Sequence, residues 1–350
     1  MTAPPVPRGR LAPSPTGLLH LGNAYAFLMA WLSVRSKGGS LVLRMEDIDP
    51  DRSKPEFVTG IYEDLDWLGL DCDEGPARSA AHAVREEGGP HAEGPCGPYE
   101  QSKRLGLYDA LLADFCRKGL AYPCYCTRKE LRMLASAPHV GDEGAPYPGT
   151  CRSLTEAERA ARESVGRRPA LRLNTDAALR HAAAPCALLS FCDGVLGPQR
   201  FSLADCGGDF ALRRSDGVVA YQLAVVADDA AMGITEVVRG DDLLLSTPRQ
   251  ILLFRLLGNE PPDYAHVPLL HDAAGERLAK RHKSLALASL RAAGAAPEAV
   301  VGYLGWLAGF LERPQPARPG EMSAAFSLES LRGRYLRLPE DAAAHILALR

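Results

Sequence analysis

The sequence predicts an α/β fold with a parallel sheet, and two observations support this prediction. First, "GRLAPSPTG" (9–17) ends a strand in a Pro/Gly turn, a helical apolar pattern runs from Leu19 to about Ser36, and "SLVLRMEDID" (40–49) follows as a buried strand. A strand, a helix and a strand in this order form a βαβ unit with parallel strands. Second, the 350 residues are 46% hydrophobic and 24% charged, which is typical of a globular protein with a substantial core.

The composition excludes several classes of protein. No apolar run approaches the roughly 18 residues that a membrane span needs, and "MTAPPVPRGR" at the N-terminus has no apolar signal core. Nine cysteines, an odd number in a long chain, do not suggest a disulfide framework. The net charge of −3 gives no overall basic field, although a local patch could still bind RNA. We therefore expect a cytoplasmic protein that does not bind membranes.

The remaining elements are assigned in chain order. We predict a flexible surface loop over 71–100, a helix within 102–122 and a further loop over 136–150. Strands with turns are expected over 187–197, 209–240 and 266–272. The segment 246–258 is predicted to be a helix with Ser246 as N-cap and Pro248 in its first turn, and a short helical tail is expected from Pro297.

The first βαβ unit predicts a binding site. In parallel sheets ligands bind at the carboxyl ends of strands, where 10–14 and 46–49 would lie together. A turn that leads into a helix N-terminus exposes backbone N–H groups beside the positive end of the helix dipole, which suits a phosphate. Thr16 and His20 could add side-chain donors, and Gly22 permits close approach of a flat ligand such as an adenine ring.

Several motifs together resemble a known family. "PSPTGLLHLGN" (13–23) resembles the HIGH signature of class I aminoacyl-tRNA synthetases, and "RLAKR" (277–281) resembles their KMSKS loop. "RMEDIDPDRSKPEF", "GPYEQSKRL", "YQLAVVADDAAMGITEVVRGDDLLLSTPRQILL" and "DYAHVPLLHDAAGERLAKR" resemble the glutamyl branch, in family order. Only about 65 residues follow Leu285, whereas a full glutamyl-tRNA synthetase carries a large anticodon-binding part there. The chain therefore resembles the short paralogues, the glutamyl-Q tRNA(Asp) synthetases.

The resemblance implies a fold and a division into domains. It implies a Rossmann-like, parallel-sheet class I synthetase catalytic domain over 1–115 and 211–295, with the KMSKS-like loop in its second half. An inserted, zinc-bearing subdomain that resembles an acceptor-binding domain is expected over 116–210. A short helical C-terminal tail is expected over 296–350.

The resemblance also implies ligands and site residues. ATP is expected as a substrate, with Mg²⁺, and L-glutamate as the amino acid. His20 and Lys280 are the implied catalytic residues, and the implied ATP-binding residues are Thr16, His20, Gly22, Asn23 and Lys280. The implied glutamate-binding residues are Arg10, Leu11, Ala12, Pro13, Ser14, Glu46, Tyr221 and Arg239. These types suit the ligand, because guanidinium groups bind carboxylates bidentately and the Glu46 carboxylate matches an ammonium.

The KMSKS-like loop departs from the family pattern. Arg277 replaces the first lysine and Ala279 replaces the serine. A second frame, 280–284, also gives K-x-x-K-S, and Lys283 could then contribute. We favour the first frame because Gly275, Leu278 and Lys280 keep their expected places.

Three cysteines and a tyrosine indicate a structural zinc site. "CYC" at 124–126 and "YPGTC" at 147–151 match the C-x-C and Y-x-x-x-C pattern of the short paralogues. The implied ligands are Cys124, Cys126, Tyr147 and Cys151. Zinc requires four ligands, and by chemistry alone His139 competes with Tyr147 for the fourth position.

The expected function is ATP-dependent activation of glutamate. The short paralogues transfer it to queuosine, the modified base at the first anticodon position of tRNA(Asp). One alternative is a truncated glutamyl-tRNA synthetase that charges a tRNA 3′ end. The other is an inactive paralogue that only binds RNA, which the altered RLAKR loop would favour.

Overall fold

A computed structural model describes residues 6–77, 94–127, 129–131, 147, 149–182, 188–278 and 283–349. Its helices are α1 (Leu21–Arg35), α2 (Pro55–Leu68), α3 (Leu105–Arg117), α4 (Glu156–Ser164), α5 (Thr175–His181), α6 (Tyr221–Ala231), α7 (Thr247–Leu256), α8 (Leu287–Ala292), α9 (Pro297–Ala308) and α10 (Ala342–Ala348). Its strands are β1 (Arg8–Leu11), β2 (Ser40–Leu43), β3 (Ala121–Cys124), β4 (Ala170–Leu173), β5 (Leu188–Asp193), β6 (Gly197–Ser202), β7 (Ala211–Arg213), β8 (Glu236–Gly240), β9 (Asp263–Val267), β10 (Leu270–His271) and β11 (Leu336–Arg337).

The predicted N-terminal βαβ unit is confirmed. Strands β1 and β2 pair in parallel, from Arg8 opposite Ser40 to Leu11 opposite Leu43, and α1 connects them. The return from α1 to β2 passes so close to the start of β1 that a Cβ on Gly39 would lie 2.3 Å from the carbonyl oxygen of Pro7. Only glycine fits this close approach.

A second parallel pair lies beside the first. Strands β8 and β9 run from Glu236 opposite Asp263 to Gly240 opposite Val267. The backbone N–H of Thr235, just before β8, donates to the carbonyl of Arg8 over 2.8 Å, which links β8 to β1. Helix α1 packs against these strands, and its buried side chains include Leu28 and Leu32. Burying each such aliphatic side chain stabilises the fold by about 1.5–3 kcal/mol.

The prediction of strands throughout 209–240 is wrong. Between β7 and β8 the chain forms helix α6, and all residues from Gln222 to Asp229 are buried in it. A helix that is buried on every side lacks the polar face that marks a surface helix. Its paired valines, Val225 and Val226, then resemble a buried strand.

Antiparallel strands form the part of the chain that carries the three cysteines predicted to bind zinc. Strands β3, β4 and β7 make one sheet in the order β3-β4-β7, and β5 pairs with β6 as a hairpin. Cys124 is the last residue of β3, opposite Ala170 of β4. This sheet therefore presents Cys124 at its edge, next to the segment that contains Cys126.

The predicted helix at 246–258 is confirmed as α7, with a correction at its start. Ser246 occupies the N-cap position but has helical backbone angles and makes no capping hydrogen bond, because 3₁₀ turns over 241–246 precede it. Its hydroxyl instead accepts a hydrogen bond of 2.9 Å from the Gln222 side chain. Ser246 thus joins α7 to α6.

The C-terminal tail is not purely helical, which corrects the prediction. Besides α9 and α10 it contains β11, which pairs in parallel with β10. The Leu338 N–H donates to the His271 carbonyl over 2.8 Å, and the ring of Tyr335 stacks on that of His271 at 4.6 Å between centroids. The tail therefore supports the strand that leads into the KMSKS-like segment.

The predicted loop over 71–100 is only partly described. Its two ends are held against the chain that continues β2: Leu43 N–H donates to Glu74 over 2.7 Å, and Met45 N–H to Tyr99 over 2.9 Å. Residues 78–93 lie outside the described residues, as do 136–146 and 148 of the second predicted loop. Within the part of the chain that the structure describes, no helix is both long and apolar enough to cross a membrane.

Candidate active site

The structure brings together the four charged or phenolic residues predicted to bind glutamate. Arg10 lies in β1, Glu46 follows β2, Tyr221 begins α6 and Arg239 lies in β8. Burial of its hydroxyl raises the pKa of Tyr221, and the charges of Arg239, Glu46 and Arg10 all act on it. The Tyr221 side chain nevertheless remains 36% exposed. These residues therefore lie near one another, and Tyr221 is the one that is open to solvent.

The segment between Arg10 and Thr16 runs along the chain that leads to Glu46. The carbonyl of Leu11 accepts from Arg44 N–H over 2.9 Å, and that of Pro13 accepts from Glu46 N–H over 2.9 Å. Ala12 is half-buried between them and Ser14 is exposed. The predicted segment 11–14 thus reaches the same edge of the sheet as Glu46.

Opposite charges alternate along this edge. The Nε of Arg10 lies 3.6 Å from Oδ1 of Asp229, which also accepts from Arg44 over 2.5 Å. Arg44 in turn donates to Glu46 over 3.1 Å. Burial raises the pKa of Glu46, while the positive charges of Arg44 and Arg10 oppose that rise. Two arginines thus face two carboxylates, which suits a ligand that carries charges of both signs.

Sequence reasoning missed three residues of this site. Asp229, Arg44 and Tyr264 were not singled out, although two adjacent acids within the apolar run "AVVADDAA" were a usable signal for Asp229. Tyr264 is 3% exposed, and its hydroxyl has no hydrogen-bond partner in the described part of the chain. Burial raises the pKa of this tyrosine, and the charges of Arg239, Asp229 and Arg10 act on it. A buried hydroxyl without a partner beside these charges could bind a polar ligand.

Arg239 is surrounded by neutral acceptors. Its guanidinium donates to Nε2 of His266 over 3.1 Å, to Oε1 of Gln250 over 2.8 Å and to Oγ1 of Thr247 over 2.8 Å. It also lies 5.0 Å from the ring centroid of Tyr264. It makes no ion pair with any carboxylate that the structure describes. This arrangement holds a buried cation ready for an anionic ligand.

His20 caps α1 with its side chain. Its Nδ1 accepts from Gly22 N–H over 3.1 Å, and Oδ1 of Asn23 accepts from His20 N–H over 3.1 Å. This reciprocal pair is a capping box, so the structure gives the Asn23 carbonyl oxygen a role in the cap. A Cβ at Gly22 would lie 2.9 Å from Cε1 of His20. The glycine therefore makes room for the imidazole ring.

Both described ends of the KMSKS-like loop contact the His20 segment. Leu278 is buried and lies 3.9 Å from where a Gly22 Cβ would stand. On the other side, Ala286 forms a β-bridge with His20. Arg277, which replaces the first lysine of the family pattern, pairs with Asp242 at 2.7 Å. Residues 279–282, including the predicted catalytic Lys280, lie outside the described residues.

Thr16 lies between the 10–14 segment and the His20 cap, in the turn that precedes α1. Its backbone N–H donates to the carbonyl of Ser14 over 2.8 Å, so a tight turn connects the segment that is predicted to bind glutamate to the His20 cap. The predicted ATP and glutamate residues therefore adjoin one another along 10–23.

The four predicted zinc ligands lie together. The sulfurs of Cys124, Cys126 and Cys151 are all within 4.8 Å of one another. The Tyr147 hydroxyl lies 3.4 Å from the sulfur of Cys124 and 3.5 Å from that of Cys126, and it accepts from Cys151 N–H over 2.9 Å. The competing ligand, His139, lies outside the described residues.

This cluster fits a tetrahedral metal. Zn–S bonds of about 2.3 Å place two sulfurs of a tetrahedron about 3.8 Å apart, and Cys126 and Cys151 are 3.5 Å apart. Burial, together with the neighbouring cysteines, raises the pKa of Cys126 to about 12. A bound cation would favour the thiolates. The Arg172 guanidinium lies 4.2 Å from the Tyr147 ring centroid and would offset the remaining negative charge.

Comparisons with known proteins identify the family. Residues 7–314 match the family model of tRNA synthetases class I (E and Q), catalytic domain. A glutamyl-Q tRNA(Asp) synthetase of Nitratidesulfovibrio vulgaris is 55% identical, covering 95% of this chain and 96% of its own length. One from Symbiobacterium thermophilum is 50% identical with the same coverage of both chains.

A solved structure agrees with these relatives. The crystal structure of a glutamate tRNA ligase from Elizabethkingia meningosepticum, in complex with its amino acid, has a TM-score of 0.75 and 25% sequence identity. The match covers 98% of this chain and 69% of that one, so the catalytic fold is shared and the longer protein extends beyond it. Together with the family model and the two relatives, this shows that the chain is a ligase of the class I tRNA synthetases and belongs to the glutamyl-Q tRNA(Asp) synthetases.

Proposed function

We propose that this protein activates glutamate with ATP and transfers it to the queuosine base of tRNA(Asp). The observation that carries the proposal is the convergence of Arg10, Glu46, Tyr221 and Arg239 on one surface. A mere RNA-binding protein would not need such a pocket for an amino acid.

The charges of the pocket match those of glutamate. Glutamate brings two carboxylates, which suit Arg10 and Arg239, and an ammonium, which suits Glu46. One carboxylate oxygen attacks the α-phosphorus of ATP, and the bond from that phosphorus to the bridging oxygen breaks, which releases pyrophosphate. Negative charge develops on phosphate oxygens, so positioned donors and cations supply most of the catalysis. Mg²⁺ would accompany the phosphates.

His20 meets this demand as a hydrogen-bond donor. Because Nδ1 accepts from Gly22 N–H, the proton of the neutral ring is on Nε2. We assign Nε2 and the start of α1 to the phosphates, with Thr16 and Gly22 beside them. Lys280 is assigned to the charge that develops in the transition state.

We further propose that Cys124, Cys126, Tyr147 and Cys151 bind a structural Zn²⁺. These ligands belong to a proposed inserted subdomain over 116–210. It separates the two halves of the catalytic domain, 1–115 and 211–295, and 296–350 forms the tail. The short distances among the four side chains support this ligand set. A cytoplasmic location fits an enzyme that uses ATP and tRNA.

Protein purified without chelator is expected to contain about one zinc per chain. Cys124→Ser and Cys151→Ser should each lower the metal content severalfold in elemental analysis, because each removes one ligand of a four-ligand site. His139→Ala is the control and should leave the content unchanged. If His139→Ala loses zinc and Tyr147→Phe retains it, the fourth ligand is His139 and not Tyr147.

Glutamate-dependent pyrophosphate exchange should proceed without any tRNA. The pocket of Arg10, Glu46 and Arg239 already carries charges that match the amino acid. Transfer is then measured with tRNA(Asp) that contains or lacks queuosine, and only the modified tRNA should accept glutamate.

Other outcomes of these assays identify the alternatives. An absolute requirement for tRNA in the exchange reaction, with glutamate esterified at the tRNA 3′ end, would identify a truncated glutamyl-tRNA synthetase. Binding of tRNA without exchange under any condition would identify an inactive RNA-binding paralogue.

A further inference from the structure

A buried chain of polar groups leads from Asp193 through His266 to Arg239. Asp193 ends β5 and His266 lies in β9, and the sequence analysis assigned no role to either residue. Both side chains are fully buried, at 0% exposure. Nδ1 of His266 lies 2.5 Å from Oδ2 of Asp193, and Nε2 of His266 accepts from Nε of Arg239 over 3.1 Å.

Backbone hydrogen bonds fix the orientation of the Asp193 carboxylate. Its Oδ1 accepts from the N–H groups of Val195, Leu196 and His266, over 2.9, 2.9 and 3.1 Å. Burial alone would raise the pKa of Asp193, but these donors and the His266 ring lower it below its usual value. An ionised carboxylate therefore faces Nδ1.

The partners of His266 determine its protonation. Nδ1 must carry a proton to donate to the carboxylate, and Nε2 must be unprotonated to accept from Arg239. Burial lowers the pKa of His266, and the positive charge of Arg239 acts in the same direction, while Asp193 opposes them. A proton on Nε2 would break its hydrogen bond with Nε of Arg239 and could be donated instead to Oγ1 of Thr247, 3.1 Å away.

Arg239 keeps two N–H groups that could bind a ligand. Of the five N–H groups of an arginine, Arg239 uses one each toward His266, Gln250 and Thr247. One N–H remains on each terminal nitrogen, with no partner among the residues that the structure describes. Two parallel N–H groups on neighbouring nitrogens are what a carboxylate accepts bidentately.

We propose that Asp193 and His266 are positioning residues, which hold Arg239 in the orientation that binds a carboxylate of glutamate by fixing the tautomer of His266. This inference rests on the proposed function, because it assumes that glutamate is the ligand of Arg239. Asp193 and His266 themselves do not touch the substrate.

Asp193→Asn separates this role from a structural one. The asparagine Oδ1 can still accept the three backbone N–H groups, but its Nδ2 donates to Nδ1 of His266. The ring proton then moves to Nε2 and faces Nε of Arg239, by the same logic as in an Asp-to-Asn exchange behind a catalytic histidine. In pyrophosphate exchange we expect a glutamate KM that is higher by about tenfold or more, since a hydrogen bond to a charged group is lost. The ATP KM, kcat and Tm should change little.

Two comparisons make the result decisive. Asp209→Asn changes another buried carboxylate, 1% exposed, which accepts from Tyr122 and Thr175, and should leave the glutamate KM unchanged. His266→Gln keeps an amide acceptor toward Arg239 and should restore much of the affinity that His266→Phe loses. A glutamate KM of wild-type value in Asp193→Asn, or equal losses in the two His266 variants, would overturn the inference.

The test also distinguishes the inference from the proposed function. If wild-type protein gives no exchange, calorimetric titration with L-glutamate replaces the kinetic measurement for the same variants. Wild-type protein that binds no L-glutamate would end both proposals. If wild-type protein and Asp193→Asn bind L-glutamate equally tightly, this inference alone is overturned.

Discussion

Lys280→Ala is expected to slow glutamate-dependent pyrophosphate exchange by about 10²–10³-fold in kcat, the cost of removing one donor from a developing charge. Lys280 is assigned to charge that appears only in the transition state, and such a contact affects kcat more than ground-state binding. The KM for glutamate should change little, because Arg10, Glu46 and Arg239 are intact. Steady-state exchange kinetics at varied glutamate and ATP provide the measurement.

Lys283→Ala is the matched control, since it removes the other lysine of the same loop. A nearly normal Lys280→Ala beside a crippled Lys283→Ala would mean that the loop frame is displaced by three residues. If both variants behaved like wild type, the loop would not stabilise the transferred phosphate, and the catalytic role of 277–284 would be wrong.

Arg239→Ala should raise the KM for glutamate by about a hundredfold, with a smaller effect on kcat. A bidentate charged contact is lost, and both its interactions exist already in the ground state. Removal of the guanidinium also leaves the acceptors on His266, Gln250 and Thr247 without their donor, which adds to the cost.

Arg239→Lys tests whether the affinity for glutamate depends on the geometry of the guanidinium or only on its charge. A lysine keeps the positive charge but lacks the planar fork, so it should recover little of the lost affinity. If Arg239→Lys binds glutamate as wild type does, the bidentate contact is not needed. If Arg239→Ala lowers kcat and leaves the KM unchanged, Arg239 acts on the transition state instead.

The sequence was most informative where local pattern and turn chemistry agreed. The Pro/Gly turn, the apolar helix from Leu19 and the buried strand at 40–43 lie close together in the chain, so the βαβ unit follows from short-range signals. The residues predicted to bind glutamate were found from motifs. The structure brings Arg10 and Glu46 to the same edge of the sheet because β1 and β2 are parallel and adjacent.

Residues whose role depends on long-range contacts could not be found in this way. Asp193 and His266 are 73 positions apart in the chain, and each lies in a strand whose neighbours are apolar. Helix α6 resembles a strand in the sequence because the burial of all residues from Gln222 to Asp229 leaves no clear helical periodicity. The strand β11 in the tail is only two residues long, and its pairing with β10 gives it its conformation.

The capping box of α1 has a consequence for the salt dependence of the proposed ATP binding. Protonation of His20 at Nδ1 would remove the acceptor for Gly22 N–H and place a positive charge at the positive end of the helix dipole. The capping hydrogen bond therefore requires an unprotonated Nδ1. An uncharged donor is not screened by dissolved salt in the way that an exposed cation is, at a Debye length of about 8 Å in physiological salt. If His20 binds phosphate as proposed, this contact depends on direction and distance, and it persists where attraction between charges is weakened.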